Sequence, residues 1–323
     1  SGSSYNKAFG GHPVGNQYWS YKNGEAQQSF GWFVEAQAQQ GGQYGGWYGG
    51  KIETFWTNTT GSVIVNRHGK TGCDRSGPND GGFEDSTCWW NLDSKAAHHV
   101  WGRDEAGKGF TTLLLRGEDL ERTSTFDDNE SPNQVTVRNV FNDGESDYSK
   151  HTGEQTNDVL QDETVITNTF ERLDDGVRVT HGVQSTNDEV SELWASLPIY
   201  RGHSPASGAK ARGDTVIEYW DGQAWRGLPT TGDTPSLMTT QYLRLTRNAT
   251  SGNPHVYVEL SETTGVRLAK REYEDPYQTN TKVRTVHFDL LGDADTVPNT
   301  ELSYNVSTNG PGLESTVPVT QFT

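Results

Sequence analysis

Hydrophobic and polar residues alternate along most of the chain after residue 50, which is the period of a β-strand with one buried face. The segment QVTVRNVF (134–141) shows this alternation clearly. The segments TVITNTFERL (164–173) and GVRVTHGVQ (176–184) flank Asp174-Asp175-Gly176, so they predict two strands joined by a tight hairpin. The dipeptide Asp221-Gly222 predicts a second hairpin further along the chain.

Strand patterns follow one another at short spacing to the end of the chain, and no helical pattern comes between them. This order is typical of antiparallel sheets rather than of α/β folds. Roughly a dozen strands without a repeat or a linker predict one large domain over residues 51–323. We therefore expect an all-β fold, a large antiparallel β-sandwich of the super-sandwich type.

The first fifty residues have a different pattern. Residues 24–40 (GEAQQSFGWFVEAQAQQ) are rich in Ala, Gln and Glu and are the best helix candidate of the chain. A stretch rich in glycine and aromatic residues, GGQYGGWYGG, follows at 41–50. Residues 1–50 are therefore predicted to be a short N-terminal segment, helical and then Gly-aromatic, that packs on the sandwich.

Composition agrees with a folded β protein and excludes some partners. Hydrophobic residues make up only 31% of the chain, but 10 Trp, 13 Tyr and 11 Phe can each bury a large area. The 43 acidic residues outnumber the 26 basic ones, which gives a net charge of −17. Nucleic acids and anionic membranes attract positive surfaces, so we expect neither as a partner. No apolar run approaches the roughly 20 residues of a membrane span.

The two cysteines, Cys73 and Cys88, lie in a loop rich in Gly, Asp, Pro and Ser. We interpret them as a disulfide, which would close a loop of about 15 residues and contribute about 3 kcal/mol in the chain-entropy model. Two free thiols are the alternative. The spacing does not match the usual ligand pairs of a zinc site. Because disulfides are typical of secreted proteins, we expect an extracellular location.

The loop between the cysteines also predicts a calcium site. Calcium takes about six to eight oxygen ligands, and a loop pinned by a disulfide could supply several of them. The spacing is not that of an EF-hand, and an ordinary solvated loop is the alternative. Calcium is the only cofactor that we predict. Its candidate ligands are Asp74, Asp80, Glu84 and Asp85.

Basic residues cluster at three places in this acidic chain. Residues 55–73 and 199–213 contain no acidic residue, and a third basic cluster spans residues 98–103. If folding brings the clusters together, they form a positive groove suited to an acidic polysaccharide. The alternative is that each cluster lies on a separate solvated face. The candidate substrate-binding residues are Trp47, Arg67, His68, His98 and Trp101.

The residue types of this predicted groove fit β-elimination at a uronic acid. An Arg or His that neutralises the carboxylate makes the C5 proton more acidic. A His or Tyr can then remove that proton, and a second Tyr or His can protonate the leaving oxygen. The candidate catalytic residues are His99, Arg103, Tyr200, Arg201 and His203.

Three runs, VITNTFERLDDGVRVTHGV (165–183), ELWASLPIY (192–200) and KIETFWTNTTGSVIVNRHG (51–69), resemble the β-sandwich portion of heparinase II/III-like and alginate-lyase-like polysaccharide lyases. In those families a helical toroid precedes the sandwich, and the active site usually lies between the two. This chain has one helix candidate ahead of its sheet. The resemblance implies a polysaccharide lyase, or its sandwich part, whose partner is a missing helical domain or a second chain.

Two classes of function therefore remain open. The first is an extracellular lyase, or the β-sandwich part of one, that acts on a uronate-containing polysaccharide. The second is a non-catalytic carbohydrate-binding or accessory domain that uses Trp and Tyr platforms. A glycoside hydrolase is a third class, although the sequence nominates no pair of carboxylates for it.

Overall fold

The computed structural model describes 17 stretches of the chain. They are residues 4–9, 16–23, 30–37, 50–57, 61–65, 100–103, 109–111, 120–128, 132–141, 164–185, 190–203, 215–229, 236–246, 255–268, 273–275, 281–294 and 299–316. None of these residues lies in a helix, so none belongs to an apolar helix long enough to cross a bilayer.

Nineteen β-strands account for most of the described residues. They are β1 (Ser4–Phe9), β2 (Asn16–Asn23), β3 (Phe30–Gln37), β4 (Lys51–Thr57), β5 (Gly61–Val65), β6 (Val100–Arg103), β7 (Gly109–Thr111), β8 (Leu120–Phe126), β9 (Gln134–Phe141), β10 (Thr164–Leu173), β11 (Gly176–Gln184), β12 (Glu192–His203), β13 (Val216–Trp220), β14 (Trp225–Gly227), β15 (Met238–Thr246), β16 (His255–Leu268), β17 (Tyr273–Asp275), β18 (Thr281–Asp289) and β19 (Thr300–Ser307).

All described strand pairs are antiparallel and belong to one hydrogen-bonded sheet. From one end, the strands run β1, β2, β3, β4, β5, β12, β18 and β16. From β16 the sheet continues through β19, β11, β10, β9 and β8. The other edge of β16 carries β15, β13 and β14. β6 and β7 extend from β12, and β17 pairs with β18.

The sheet curls so that β3 and β4 lie over the β9–β11 region. The indole Nε1 of Trp32 donates a hydrogen bond of 3.1 Å to the carbonyl oxygen of Gly176. A β-carbon on Gly50 would lie 3.0 Å from both Phe170 and Val137. Alternate residues from the two sides fill one continuous apolar core between them.

The prediction of an antiparallel all-β fold is confirmed, whereas the sandwich and the N-terminal helix are not. The described strands form one curled sheet instead of two separate stacked sheets. Within the predicted helix, Phe30–Gln37 form β3, and residues 24–29 and 38–40 lie outside the described residues. Phe30, Trp32 and Val34 are buried, which is a period of two, and pairing with β2 and β4 outweighs the helical propensity of Ala, Gln and Glu.

Both predicted hairpins are present. Asp174 and Asp175 form the two-residue turn between β10 and β11. In the turn between β13 and β14, Asp221 accepts hydrogen bonds of 2.7 Å from the N–H groups of Gln223 and Ala224. The hydrogen bond from Arg226 and these two backbone bonds lower the pKa of Asp221 to about 2. Gly222 has a φ of 99°, which few other residues adopt.

The division into residues 1–50 and 51–323 stays a prediction. Strand β3 pairs with β4 across residue 50, so the hydrogen-bonded sheet runs through the predicted boundary.

Gly176 offers a test of the packing at the β10–β11 hairpin. A β-carbon at this position would lie 1.9 Å from the carbonyl oxygen of Val306, in the backbone of the neighbouring strand. We expect Gly176→Ala to lower the free energy of unfolding by about 3 kcal/mol, because β11 and β19 must move apart. Urea denaturation measures the change. Gly227→Ala is the matched control, since a β-carbon there would meet no atom within 4 Å beyond its chain neighbours. Equal stability of the two variants would contradict the packing.

Candidate functional site

The candidate site lies on the outer face, which we define as the side of the sheet that points away from the apolar core. On β11, for example, Val177 and Val179 are buried in the core, whereas the alternate residues Arg178 and Thr180 point outward. An open groove of about 370 Å³ lies on this face, across β11, β19, β16 and β15. The polar residues that line this outer groove are Arg178, Gln241, Glu259, Ser261, Ser303 and Asn305.

Cross-strand register brings the charged and amide residues of the outer groove into one row. Arg178 on β11 pairs with Asn305 on β19, and Asn305 pairs with Glu259 on β16. The Arg178 Nε donates a hydrogen bond of 2.9 Å to the Asn305 side-chain oxygen. Glu171 on β10 extends the row and lies 3.6 Å from the Arg178 guanidinium. The row therefore offers amide, carboxylate and guanidinium groups at the spacing of the strands.

An aromatic cluster, formed by Trp220, Trp225 and Tyr257, lies next to the outer groove. The ring centroids of Trp220 and Trp225 are 5.5 Å apart, and those of Trp225 and Tyr257 are 6.1 Å apart. The Arg244 guanidinium lies 4.7 Å from the Trp225 ring centroid, within cation–π range. Tyr257 is two residues from Glu259 on β16, so both side chains are on the outer face. Each ring of the cluster is partly exposed.

Neighbouring acidic residues neutralise the two arginines of this region. Arg244 makes two hydrogen bonds to the Glu218 carboxylate, of 2.8 and 3.0 Å. Arg178 has Glu171 beside it. Burial, followed by the charge of Arg244, lowers the pKa of His255, which is therefore uncharged at neutral pH. Burial raises the pKa of Tyr257, so its hydroxyl also stays neutral.

Residues 308–316, which we call the C-terminal segment, border the aromatic cluster. The N–H of Thr308 donates to the carbonyl of Asp175 at 3.0 Å, and the N–H of Thr316 donates to the carbonyl of Gln223 at 2.9 Å. Between these anchors, Gly310 lies against the Tyr257 ring, and a β-carbon there would be 2.7 Å from a ring carbon. The segment thus forms a wall along one side of the cluster.

Two buried histidines make polar contacts elsewhere in the sheet. The Nδ1 atom of His287 lies 2.7 Å from the Ser196 hydroxyl, and both residues are buried. A serine next to a histidine is typical of a nucleophile with its base. A substrate cannot reach a buried pair, and we therefore interpret Ser196 and His287 as a structural contact between β12 and β18.

His181 is the other buried histidine, and it lies in the core between β10, β11 and β19. Its Nδ1 donates to the Asn168 side-chain oxygen at 2.7 Å, and its Nε2 accepts from the Tyr304 hydroxyl at 3.0 Å. Burial lowers the pKa of His181 to about 3 and raises that of Tyr304. All three residues are therefore neutral and hydrogen-bonded, which is what burial of polar groups requires.

The structure locates only some of the candidate catalytic residues. Tyr200 is on β12 and is only 2% exposed. Arg103 on β6 pairs with Glu192 at the other end of β12, eight residues from Tyr200. At about 3.4 Å per residue, the two positions are about 27 Å apart along the strand. Arg201 and His203 also lie on β12, and Trp101 lies on β6.

The other predicted site residues lie outside the described residues, so the positive groove, the disulfide and the calcium site stay predictions. Among the residues that the structure does describe, no group of three or more His, Cys, Asp or Glu side chains is placed to hold a metal ion. The residues outside the description are Trp47, Arg67, His68, Cys73, Asp74, Asp80, Glu84, Asp85, Cys88, His98 and His99.

The outer groove was not predicted, although most of its residues lie in predicted strands. The signal was present in the outward positions of those strands, for example Arg178 in GVRVTHGVQ and Asn305 in ELSYNVS. Polar residues at these positions are expected of any solvated sheet face. Only the pairing of β11 with β19 and of β19 with β16 shows that they form one surface.

Comparisons with known proteins give no family for this chain. No family model matches it, and no curated protein matches it. A 4-alpha-glucanotransferase from Thermococcus litoralis is a similar solved structure, with a TM-score of 0.42 and 8% identity over 95% of this chain. This chain spans 40% of the length of that structure.

Two further similar structures cover most of both chains. A putative aldose 1-epimerase from Escherichia coli K12 has a TM-score of 0.38 and 12% identity over 90% of this chain and 100% of its own. A galactose mutarotase-like protein from Clostridium acetobutylicum has a TM-score of 0.38 and 9% identity over 94% and 97%. At these TM-scores and identities, the three likenesses assign no activity to this chain.

The predicted resemblance to heparinase II/III-like and alginate-lyase-like lyases was wrong. The similar structures named above are a glucanotransferase, an epimerase and a mutarotase-like protein, and no lyase family model matches. The described residues of these runs form antiparallel strands, for example β10 and β11 on either side of the Asp174-Asp175 turn. Such patterns recur in unrelated β proteins, and a shared pattern does not carry a function.

The buried His181 predicts a pH-dependent stability. As the pH falls below about 6.5, the unfolded chain protonates this histidine, whereas the folded protein does so only near its pKa of about 3. The contribution of His181 to the free energy of unfolding is therefore present above about pH 6.5 and is lost as the pH falls. We expect the wild type to lose about 2 kcal/mol more than His181→Gln between pH 7.5 and pH 5, as measured by urea denaturation.

Tyr304→Phe is the control for this experiment, because it removes a hydrogen-bond partner of His181 and keeps the histidine. This variant should be less stable at both pH values and should keep the pH dependence of the wild type. If His181→Gln and the wild type lose equal stability on acidification, the histidine is not buried in its neutral form.

Proposed function

We propose that this protein is a non-catalytic carbohydrate-binding domain that holds a saccharide in the outer groove. The observation that carries the proposal is the position of six polar side chains next to three aromatic rings on one face of the sheet. Sugars present hydroxyl groups at their edges, which amide, carboxylate and guanidinium groups can bind. They present C–H groups on their faces, and partly exposed aromatic rings suit these.

The charges of the described site favour a neutral saccharide over an acidic one. Arg178 lies beside Glu171, and Arg244 lies beside Glu218, so neither cation is left to neutralise a uronate carboxylate. Glu259 adds a negative charge to the groove. A binding partner with its own negative charge would be repelled by such a surface. The acidic polysaccharide that the basic clusters predict is therefore the alternative ligand.

The spacing of the carboxylates favours binding over hydrolysis. Glycoside hydrolases place two carboxyl groups at most about 9.5 Å apart. Glu171 and Glu259, the two carboxylates of the groove row, are three strands apart. At about 4.8 Å per strand, this separation is about 14 Å. The row therefore lacks the pair that an acid and a nucleophile or base would form.

Binding to polysaccharides tests this proposal. The protein is incubated with cellulose, xylan and mannan as neutral polymers and with alginate and polygalacturonate as acidic ones, and the bound fraction is measured. We expect retention on at least one neutral polymer. Arg178→Ala should weaken this binding about tenfold or more, because a charged donor in the groove is lost.

Arg226→Ala is the matched control, since Arg226 is also an exposed arginine paired with a carboxylate, Asp221, and it does not line the outer groove. Binding of this variant should equal that of the wild type. The proposal is wrong if no polymer retains the protein, or if both variants bind like the wild type. Retention on alginate or polygalacturonate alone would favour the acidic ligand and would contradict the neutral one.

A further inference from the structure

A row of hydroxyl side chains extends the outer groove across the sheet. Cross-strand pairing places one Thr or Ser on each of five consecutive strands, β8, β9, β10, β11 and β19, and a hydrogen bond from the Ser303 N–H links a serine on the next strand, β16, to them. We call this the hydroxyl row. Its members, in the order of the strands, are Thr125, Thr136, Thr169, Thr180, Ser303 and Ser261.

The hydroxyl row and the outer groove form one surface. Ser303 and Ser261 belong to the row and also line the groove, and the N–H of Ser303 donates to the Ser261 hydroxyl at 3.2 Å. Five spacings of about 4.8 Å give the row a length of about 24 Å. Every member is at least partly exposed, whereas sequence neighbours such as Val135, Phe170 and Val179 are buried. A ligand in the groove can therefore continue along the row.

The hydroxyl groups of the row can form hydrogen bonds to a ligand in addition to those that they form with each other. The Thr136 and Thr169 hydroxyls are 3.2 Å apart, and those of Thr180 and Ser303 are 2.8 Å apart. Each hydroxyl has one donor and two acceptor positions, so such a pair keeps further positions for a ligand. The row carries no charge, and its chemistry repeats from strand to strand. It suits a ligand that is neutral, polar and repetitive.

We infer that the ligand is a linear neutral polysaccharide that lies across the strands, from the aromatic cluster through the outer groove and along the hydroxyl row. The inference rests on the proposed function and goes beyond it, because the groove alone could hold a short saccharide. A sugar unit of an extended chain is about as long as the distance between strands, so successive units meet successive hydroxyls. The bound chain covers about five or six units between the groove and β8.

The position of the row disfavours a partner protein that adds a β-strand. Strand addition uses the unpaired backbone groups of a sheet edge. The middle strands of the row, such as β10 and β11, are hydrogen-bonded to neighbours on both sides. Only the side chains of this face are available, and these are hydroxyls rather than the large apolar residues that dominate protein interfaces.

The dependence of affinity on saccharide length tests the inference. Calorimetry measures the binding of cello-, xylo- and manno-oligosaccharides of three and six units. The hexasaccharide of the preferred series should bind about tenfold or more tightly than its trisaccharide, because it makes the additional hydrogen bonds of the row. The double variant Thr136→Val/Thr169→Val should lose about tenfold in affinity for the hexasaccharide and none for the trisaccharide.

Replacing both threonines removes both hydroxyls of a hydrogen-bonded pair, so neither hydroxyl is left without its partner. Valine has a high β-propensity and fits the strands. Thr54→Val makes the same change on β4, away from the row, and should bind both oligosaccharides like the wild type. Equal affinities for three and six units, or an unchanged hexasaccharide affinity in the double variant, would overturn the inference and leave the proposed function standing. If no saccharide of either length binds, the proposed function fails together with the inference.

Discussion

Strand β16 holds the sheet together, because it is hydrogen-bonded to three other strands. One edge of its 14 residues pairs with β15. The other edge pairs with β19 at Tyr257–Leu260 and with β18 at Val266–Leu268. The pairing of β16 with β15 shifts register here. Glu259 and Thr264, five residues apart on β16, pair with Tyr242 and Thr240, which are only two residues apart on β15. This bulge changes the direction of the strand, so that one strand can pair with β19 in the first region and with β18 in the second.

The same strand positions the surface that we propose as a binding site. Tyr257 and Glu259 point outward in the region where β19 and β15 flank β16, and Val256, Val258 and Leu260 point into the core. Burial of these apolar residues fixes the register, because a shift of one residue would turn every polar side chain inward. The packing of the core thus determines where the polar groove residues lie.

Local sequence features predicted both hairpins and the strands beside them, since a tight turn such as Asp174-Asp175 depends on neighbouring residues alone. They did not predict β1 and β2, which lie in the segment expected to be helical and Gly-aromatic. The predicted helix failed for Phe30–Gln37 because its apolar residues also fit a period of two, and contacts with β2 and β4 decide between the patterns. The groove could not be predicted, because Arg178 and Asn305 are 127 residues apart in sequence and meet only through strand register. Residue types alone, such as His and Arg beside aromatic residues, do not show which side chains meet on one surface.

The C-terminal segment makes the proposed surface unequal at its two ends. At the end formed by β14, the aromatic rings lie beside the C-terminal segment, in which Gly310 packs against Tyr257. At the end formed by β8, the surface offers only hydroxyl groups. A polysaccharide chain also has a direction, because its reducing and non-reducing ends differ. A chain bound here would therefore have a fixed orientation, with its reducing end always on the same side of the protein.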